Sequence, residues 1–173
     1  MRIHGHPVAT TNAALTMSRG THMAITDLGH IALGCNDLDA SLAFYALLGI
    51  KESFRLTRDD GSVILVYCHI AGDRFIELFP GGPAAGDRAE SKTQSFKHIC
   101  LVSDDLVNDI EMLREKGVTI DVEPKVGLDA NTQAWFKDPD GNAIELMQLS
   151  PISPQKAVAE GREPVIPDPA SLQ

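Results

Sequence analysis

Apolar and polar positions alternate around Ile31 and Leu33, which predicts a strand over 28–34, and again around Ile99 and Leu101, which predicts one over 96–102. Each strand leads into a turn, Asp37-Leu38 or Asp104-Asp105-Leu106, with Asp placed to cap a helix. The period then changes. Leu38, Leu42, Tyr45 and Leu48, and in the second region Leu106, Ile110 and Leu113, follow the i, i+4, i+7 stripe of a helix burying one face. Gly49 and Gly117 stand where a left-handed C-terminal cap is needed. Three more strands follow each helix: 51–56, 62–70 and 73–79, then 118–123, 131–137 and 143–149. Asp59-Asp60-Gly61 and Asp138-Pro139-Asp140-Gly141 supply turns.

The two regions are copies of one another. His30-Ile31-Ala32-Leu33 returns as His98-Ile99-Cys100-Leu101, an offset of 98 − 30 = 68. That offset carries Leu42 to Ile110, Tyr45 to Leu113, Gly49 to Gly117, and Ile76-Glu77-Leu78 to Ile144-Glu145-Leu146, without a gap. The pattern therefore predicts an α+β protein of two tandem βαβββ modules, 27–83 and 95–149, inside one domain spanning 27–149. Residues 84–94 form the linker, entered through Pro80-Gly81-Gly82-Pro83. Residues 1–26 match neither copy; the stretch ahead of Met23 reads as vector-derived, and no role is assigned to His4, His6 or His22. The tail 150–173, rich in proline, is expected to run over the surface or onto a partner subunit.

Composition narrows the function classes. A net charge of −9 and the absence of a basic stripe exclude a nucleic-acid partner. No apolar run reaches the roughly 18 residues of a membrane span, and the N-terminal stretch lacks the apolar block of a signal peptide, so a cytoplasmic protein is expected. Cys35, Cys68 and Cys100 have no Cys-x-x-Cys spacing and read as reduced, buried thiols.

The chemistry sits on the faces opposite the helices. Ile31 and Leu33 pack inward, so His30 points away; the same alternation turns Glu77, His98 and Glu145 outward. His and Glu are equally spaced in both copies, 77 − 30 = 47 and 145 − 98 = 47. Two imidazoles and two carboxylates converging in one cavity require a neutralising cation. His30, Glu77, His98 and Glu145 are therefore the expected ligands of one divalent ion, with Ni, Co, Zn, Mn and Fe all suited to a shell of nitrogen and oxygen. Tyr67 and Trp135 occupy matching positions and read first as core aromatics. Cys100 lies two residues beyond His98 on the same face.

These modules, with His-Ile-Ala-Leu, Phe-Ile-Glu-Leu, His-Ile-Cys-Leu and Asp-Pro-Asp-Gly-Asn-Ala-Ile-Glu-Leu, resemble the vicinal oxygen chelate superfamily. That group includes glyoxalase I, methylmalonyl-CoA epimerase, extradiol dioxygenases and bleomycin resistance proteins. The resemblance implies a curved sheet around a metal cavity, a small-molecule substrate and a homodimer, in which the cavity is closed across the interface in many small members, so the four ligands come either from one chain or from two. It also implies that dioxygenases would use only His30, His98 and Glu145, while glyoxalase I adds a carboxylate matching Glu77. Glu77 thus favours a metal-dependent lyase or isomerase that transfers a proton through an enediolate, with Glu77 and Glu145 as candidate catalytic bases. The alternatives are an Fe(II) dioxygenase and a non-catalytic antibiotic-binding protein. Glutathione-using members carry Arg and Asn where this chain has Gly34 and Gly81, which counts against glutathione; Arg55, Arg58, Arg74 and Lys137 are possible substitutes.

Overall fold

A computed structural model describes residues 27–87 and 95–168. The extension 1–26, linker residues 88–94 and tail residues 169–173 lie outside the described residues, and with them the reading of a vector-derived start.

Both copies build the anticipated βαβββ unit. The first runs β1 (His30–Cys35), α1 (Leu38–Leu47), β2 (Lys51–Thr57), β3 (Val63–Ala71) and β4 (Arg74–Pro80). The second runs β5 (Ile99–Val102), α2 (Leu106–Glu115), β6 (Ile120–Val126), β7 (Thr132–Lys137) and β8 (Ala143–Gln148). Each forms its own four-stranded sheet, in the order β1-β4-β3-β2 and β5-β8-β7-β6. The helix crossover makes β1–β4 and β5–β8 parallel, while the hairpins make the other pairs antiparallel.

The helix ends form for local reasons. Asp37 accepts a hydrogen bond from Ala40 N, and Asp105 accepts one from Asn108 N. At the other end Gly49, at φ 76°, lets its own N–H reach Ala46 O while Ile50 N reaches Tyr45 O. Gly117, at φ 86°, repeats this with Arg114 O and Val118 N to Leu113 O, the paired closure of a Schellman cap.

Val66, Cys68, Ile76 and Leu78 form the buried face of the first sheet, and Ala134, Phe136, Ile144 and Leu146 that of the second. Each such aliphatic side chain contributes about 1.5–3 kcal/mol through burial. On α2 the buried stripe is Leu106, Ile110 and Leu113, as expected. On α1 it is Ser41, Phe44 and Tyr45, with Leu38, Leu42 and Leu48 only partly buried, so the expected stripe is turned by about one residue.

The cause is a second packing partner. Phe44 meets Phe136 of the second module at 6.3 Å between ring centroids. Tyr45 Oη donates to Asp138 Oδ2 at 2.9 Å, Ser41 Oγ to Asp140 Oδ2 at 2.9 Å, and Asn36 N to Asp140 Oδ1 at 2.8 Å. All three bonds cross from the first module to the β7–β8 turn. Met112, which matches Phe44 in the repeat, remains 48% exposed. The modules are thus alike in fold and unlike in what their helices touch.

Part of the tail is helical. Ser153 caps a short helix, α3 (Pro154–Ala159), whose Ala157 is buried, while Val165 and Ile166 beyond it are exposed. No helix among the described residues is long and apolar enough to cross a membrane.

All three cysteines are free, Cys35 and Cys68 buried and Cys100 exposed, the last against expectation. Loss of water raises the thiols of Cys35 and Cys68 to about 11. Near pH 8 their thiolate fraction is then about 100-fold below that of an ordinary cysteine. Iodoacetamide is expected to label these two at least about 100-fold more slowly in native protein than in denaturant, with the rate climbing towards pH ~11. Equal rates in the two states, read by mass spectrometry, would contradict the burial described.

Candidate metal centre

The strand register places each group. His30 pairs with Phe75 and Ala32 with Glu77 across β1–β4, and Tyr67 lies opposite Glu77 across β3–β4. His30, Ala32, Glu77, Tyr67 and Phe75 consequently share the face away from α1. In the second module Cys100 and Trp135 flank Glu145, and His98 sits just before β5. Here Trp135 presents its edge to the His98 ring at 4.8 Å between centroids.

Within each module the expected pair forms. His30 Nε2 lies 3.6 Å from Glu77 Oε2, and His98 Nε2 lies 3.2 Å from Glu145 Oε2. Two donors about 2.1 Å from a single ion stand about 3.0 Å apart at adjacent octahedral corners, or about 3.4 Å in a tetrahedron. Both pairs have close to this spacing, so the donor chemistry and the separation fit half of a coordination shell. The carboxylates are buried, Glu77 at 6% and Glu145 at 9% exposure, whereas both imidazoles are more open. A buried carboxylate beside an imidazole is an arrangement that a cation would stabilise.

The two pairs do not meet each other. Among the described residues no three His, Cys, Asp or Glu side chains come close enough to share a metal. Among the described residues the four groups do not converge within one chain but lie as two His–Glu pairs on two separate sheets. A cleft of about 680 Å³ does open between the modules, lined by Leu47, Leu48, Ile70, Leu101, Met112 and Leu113, but none of the four lines it.

Aromatic residues surround the first half-site. Phe54 stacks on Tyr67 at 4.4 Å and 19°, and Tyr67 meets Phe75 edge-on at 5.9 Å. Tyr67 is no core residue: its hydroxyl hydrogen-bonds Glu77, and that contact raises its pKa above the ordinary value. Trp135 is likewise only partly buried, its indole N–H donating to Gln133 Oε1. The repeat had marked both positions, but only their register against the two glutamates places them beside the candidate site. Phe54 and Phe75 carried no sequence signal, because their repeat equivalents are Val122 and Ala143. Cys100 sits directly across from Glu145, and its thiol is pushed up to about 12, first by loss of water and then by the carboxylate.

Of the two glycine departures, Gly34 is crowded by the chain leaving β4, while Gly81 has open space around it and is set apart by a positive φ of 87°. A Cβ on Gly34 would lie 3.2 Å from Gly82 Cα, and one on Gly82 would collide with the Gly34 carbonyl. The chain leaving β4 crosses here, held by Gly82 N to Cys35 O at 2.8 Å, so Gly82 has no room for a side chain and Gly34 would need the crossing chain to shift by a few tenths of an ångström. Arg55, Arg74 and Lys137 are paired with Glu52, Asp27 and Asp121, and Arg58 reaches Ser62 Oγ.

Comparison with known proteins agrees with this architecture. The chain is 26% identical over 147 residues to human mitochondrial methylmalonyl-CoA epimerase, covering 81% of this chain and 84% of that protein. It is 27% identical over 130 residues to ethylmalonyl-CoA/methylmalonyl-CoA epimerase of Cereibacter sphaeroides, covering 70% and 97%. The crystal structure of TnmS3, an antibiotic binding protein from Streptomyces, superposes with a TM-score of 0.58 at 26% identity, covering 75% of this chain and all of that one. The model of the Glyoxalase/Bleomycin resistance protein/Dioxygenase superfamily matches residues 27–146, both βαβββ modules with all four half-site residues, and the chain belongs to that family.

Proposed function

We propose that this protein is a divalent-metal-dependent isomerase of the epimerase type, moving a proton at a carbon next to a carbonyl. The observation that carries the reading is the presence of two equivalent His–Glu pairs, His30–Glu77 and His98–Glu145, each with the spacing of half a metal shell. The relatives named as epimerases support it over the lyase alternative, as does glycine at 34, a crowded position, in place of a glutathione-gripping side chain. His30, Glu77, His98 and Glu145 would hold the ion, whose Lewis acidity lowers the cost of negative charge on the substrate oxygens. Glu77 and Glu145 are the groups that can take and return the proton, one from each half-site. Tyr67, donating to Glu77, orients that carboxylate, and Phe54, Tyr67 and Phe75 exclude water from one wall. A homodimer, and a reducing cytoplasmic setting for three unpaired cysteines, complete the proposal.

A second reading has one specific observation behind it. The stacked Phe54–Tyr67 pair suits a flat ligand, and a structural neighbour is named as an antibiotic binding protein. One set of measurements separates the readings. Tag-free protein is assayed for metals by elemental mass spectrometry, then incubated in D₂O with acyl-CoA thioesters bearing a 2-carboxylate. The expected result is bound Ni, Co, Zn or Mn, with deuterium entering at the carbon between the carbonyls, stopped by chelator and restored by the metal. Oxygen uptake on a catechol with iron retained would replace this reading with the dioxygenase. No metal after reconstitution, and no exchange, would leave only binding.

A further inference from the structure

We infer that Lys51 holds the phosphate end of the thioester substrate's carrier arm and so selects phosphorylated carriers over bare thioesters, an inference that rests on the isomerase reading above.

The register places the lysine. Lys51 pairs with His69 across β2–β3, His69 with Phe75 across β3–β4, and Phe75 with His30 across β1–β4. Residues opposite one another in neighbouring strands share a face, so Lys51 stands on the face of the His30–Glu77 pair, three strands away. At about 4.8 Å per strand its Cα lies roughly 14 Å from that of His30. Rings span the space between. Phe54 stacks on Tyr67, Tyr67 meets Phe75 edge-on, and His69 packs on Phe75 at 5.1 Å between centroids. Tyr67 in turn hydrogen-bonds Glu77. An extended, weakly polar arm that leaves the reacting carbon along these rings ends beside Lys51.

The charge at that end is available. Arg55, Arg74, Arg114, Lys137, Lys156 and Arg162 are each ion-paired to a carboxylate. Lys51 has no ion-pair partner among the described residues, and the adjacent Glu52 is held by both N–H groups of Arg55. A chain of net charge −9 repels a polyanion in general, so an unpaired cation at the end of the apolar path is where that charge can be met. An ammonium group, a compact point charge with three donors, suits a phosphate. Lys116 and Lys125 also lack an ion pair among the described residues, but neither has this placement. Lys116 lines the cleft between the modules, and Lys125 stands opposite Gln133 in the second sheet, away from these rings.

The test titrates coenzyme A and phosphate-free pantetheine into full-length protein supplied with manganese(II), and reads binding by calorimetry. Exchange in D₂O is then followed on the 2-carboxylated acyl thioesters of both carriers. Wild type is expected to bind coenzyme A more tightly than pantetheine, with a preference that shrinks as salt rises. Lys51→Met, an exposed change that keeps the length of the side chain, is expected to weaken coenzyme A about 10-fold and leave pantetheine unchanged. KM for the acyl-CoA rises in step while kcat stays within about 2-fold, as for binding that is equal in ground and transition states. Lys51→Arg is expected to restore the preference, and Lys116→Met, which removes the same charge elsewhere, to retain it. A full wild-type preference in Lys51→Met, its loss in Lys125→Met instead, or a wild type that binds both carriers alike overturns the inference while leaving the isomerase reading intact. Exchange on neither thioester, with the preference present in wild type and lost in Lys51→Met, overturns the isomerase reading and leaves the phosphate site standing.

Discussion

Replacing Glu77 or Glu145 by Gln is expected to lower epimerisation by about 10²–10⁴-fold, the usual contribution of a positioned acid or base. The glutamine keeps the side chain's volume and an oxygen donor, so both variants should fold and melt close to wild type. Both carboxylates are buried, at 6% and 9% exposure, and each pairs with one histidine. Two carboxylates from opposite half-sites give a more specific outcome than lost activity. If each serves one face of the substrate, a variant at saturating metal still removes the proton on the side of its surviving glutamate. One hand of substrate should then exchange its α-hydrogen with D₂O without inverting, and the opposite variant should favour the opposite hand. Deuterium content and chirality, measured together on recovered substrate, decide it. Loss of all exchange in one variant, with the other at wild-type rate, would mean a single base and reduce the second glutamate to a ligand. Tyr67→Phe supplies a graded comparison: removing the donor to Glu77 should cost far less than removing the carboxylate.

The modules and the faces on which the four candidate residues stand were legible because they depend on local rules repeated twice. Alternation around Ile31, Ile76, Ile99 and Ile144 determines which face His30, Glu77, His98 and Glu145 take, and the register in both sheets agrees. Gly49 and Gly117 adopt positive φ because the Schellman closure needs it, a requirement that reads directly from position. What did not read through depends on how the two modules pack. Ser41 lies off the expected stripe of α1, yet it is fully buried, with Asp140 of the other module accepting from its hydroxyl. Asp138 and Asp140 read as turn residues alone. The same cause explains the half-sites: alternation fixes the direction of a side chain relative to its own sheet and says nothing of which sheet faces it. Phe54 was invisible for a further reason, since a register shift in β2 between Glu52 and Phe54 defeats simple alternation there.

Asp138 is where loss of a single side chain should cost the fold most. Its carboxylate accepts from Tyr45 Oη, Asn142 N, Asn142 Nδ2 and Asp140 N, with the residue 5% exposed. Tyr45 is fully buried, and burial followed by the negative charge of Asp138 drives its pKa far above the ordinary value, so it remains a donor at every working pH. Asp138→Ala strands these donors in a buried joint and is expected to destabilise the protein by about 3–5 kcal/mol. For a chain of this size that lowers Tm by roughly 6–20 °C. Tyr45→Phe removes one donor from a carboxylate that retains three, and should cost about 1–2 kcal/mol. Because the two side chains share one hydrogen bond, the double variant should lose less than the sum of the singles. Coupling of about 1 kcal/mol or more in that cycle, from denaturant titrations, would establish the bond as a working link between the modules. Additive losses would instead reduce the Asp138 contribution to its own turn, where Asn142 and Asp140 alone hold it. An Asp138→Ala change within about 0.5 kcal/mol of wild type would contradict the part given to Asp138 in the buried joint. The joint between the modules would then rest on Ser41–Asp140 and Asn36–Asp140 and on the packing of Phe44 against Phe136.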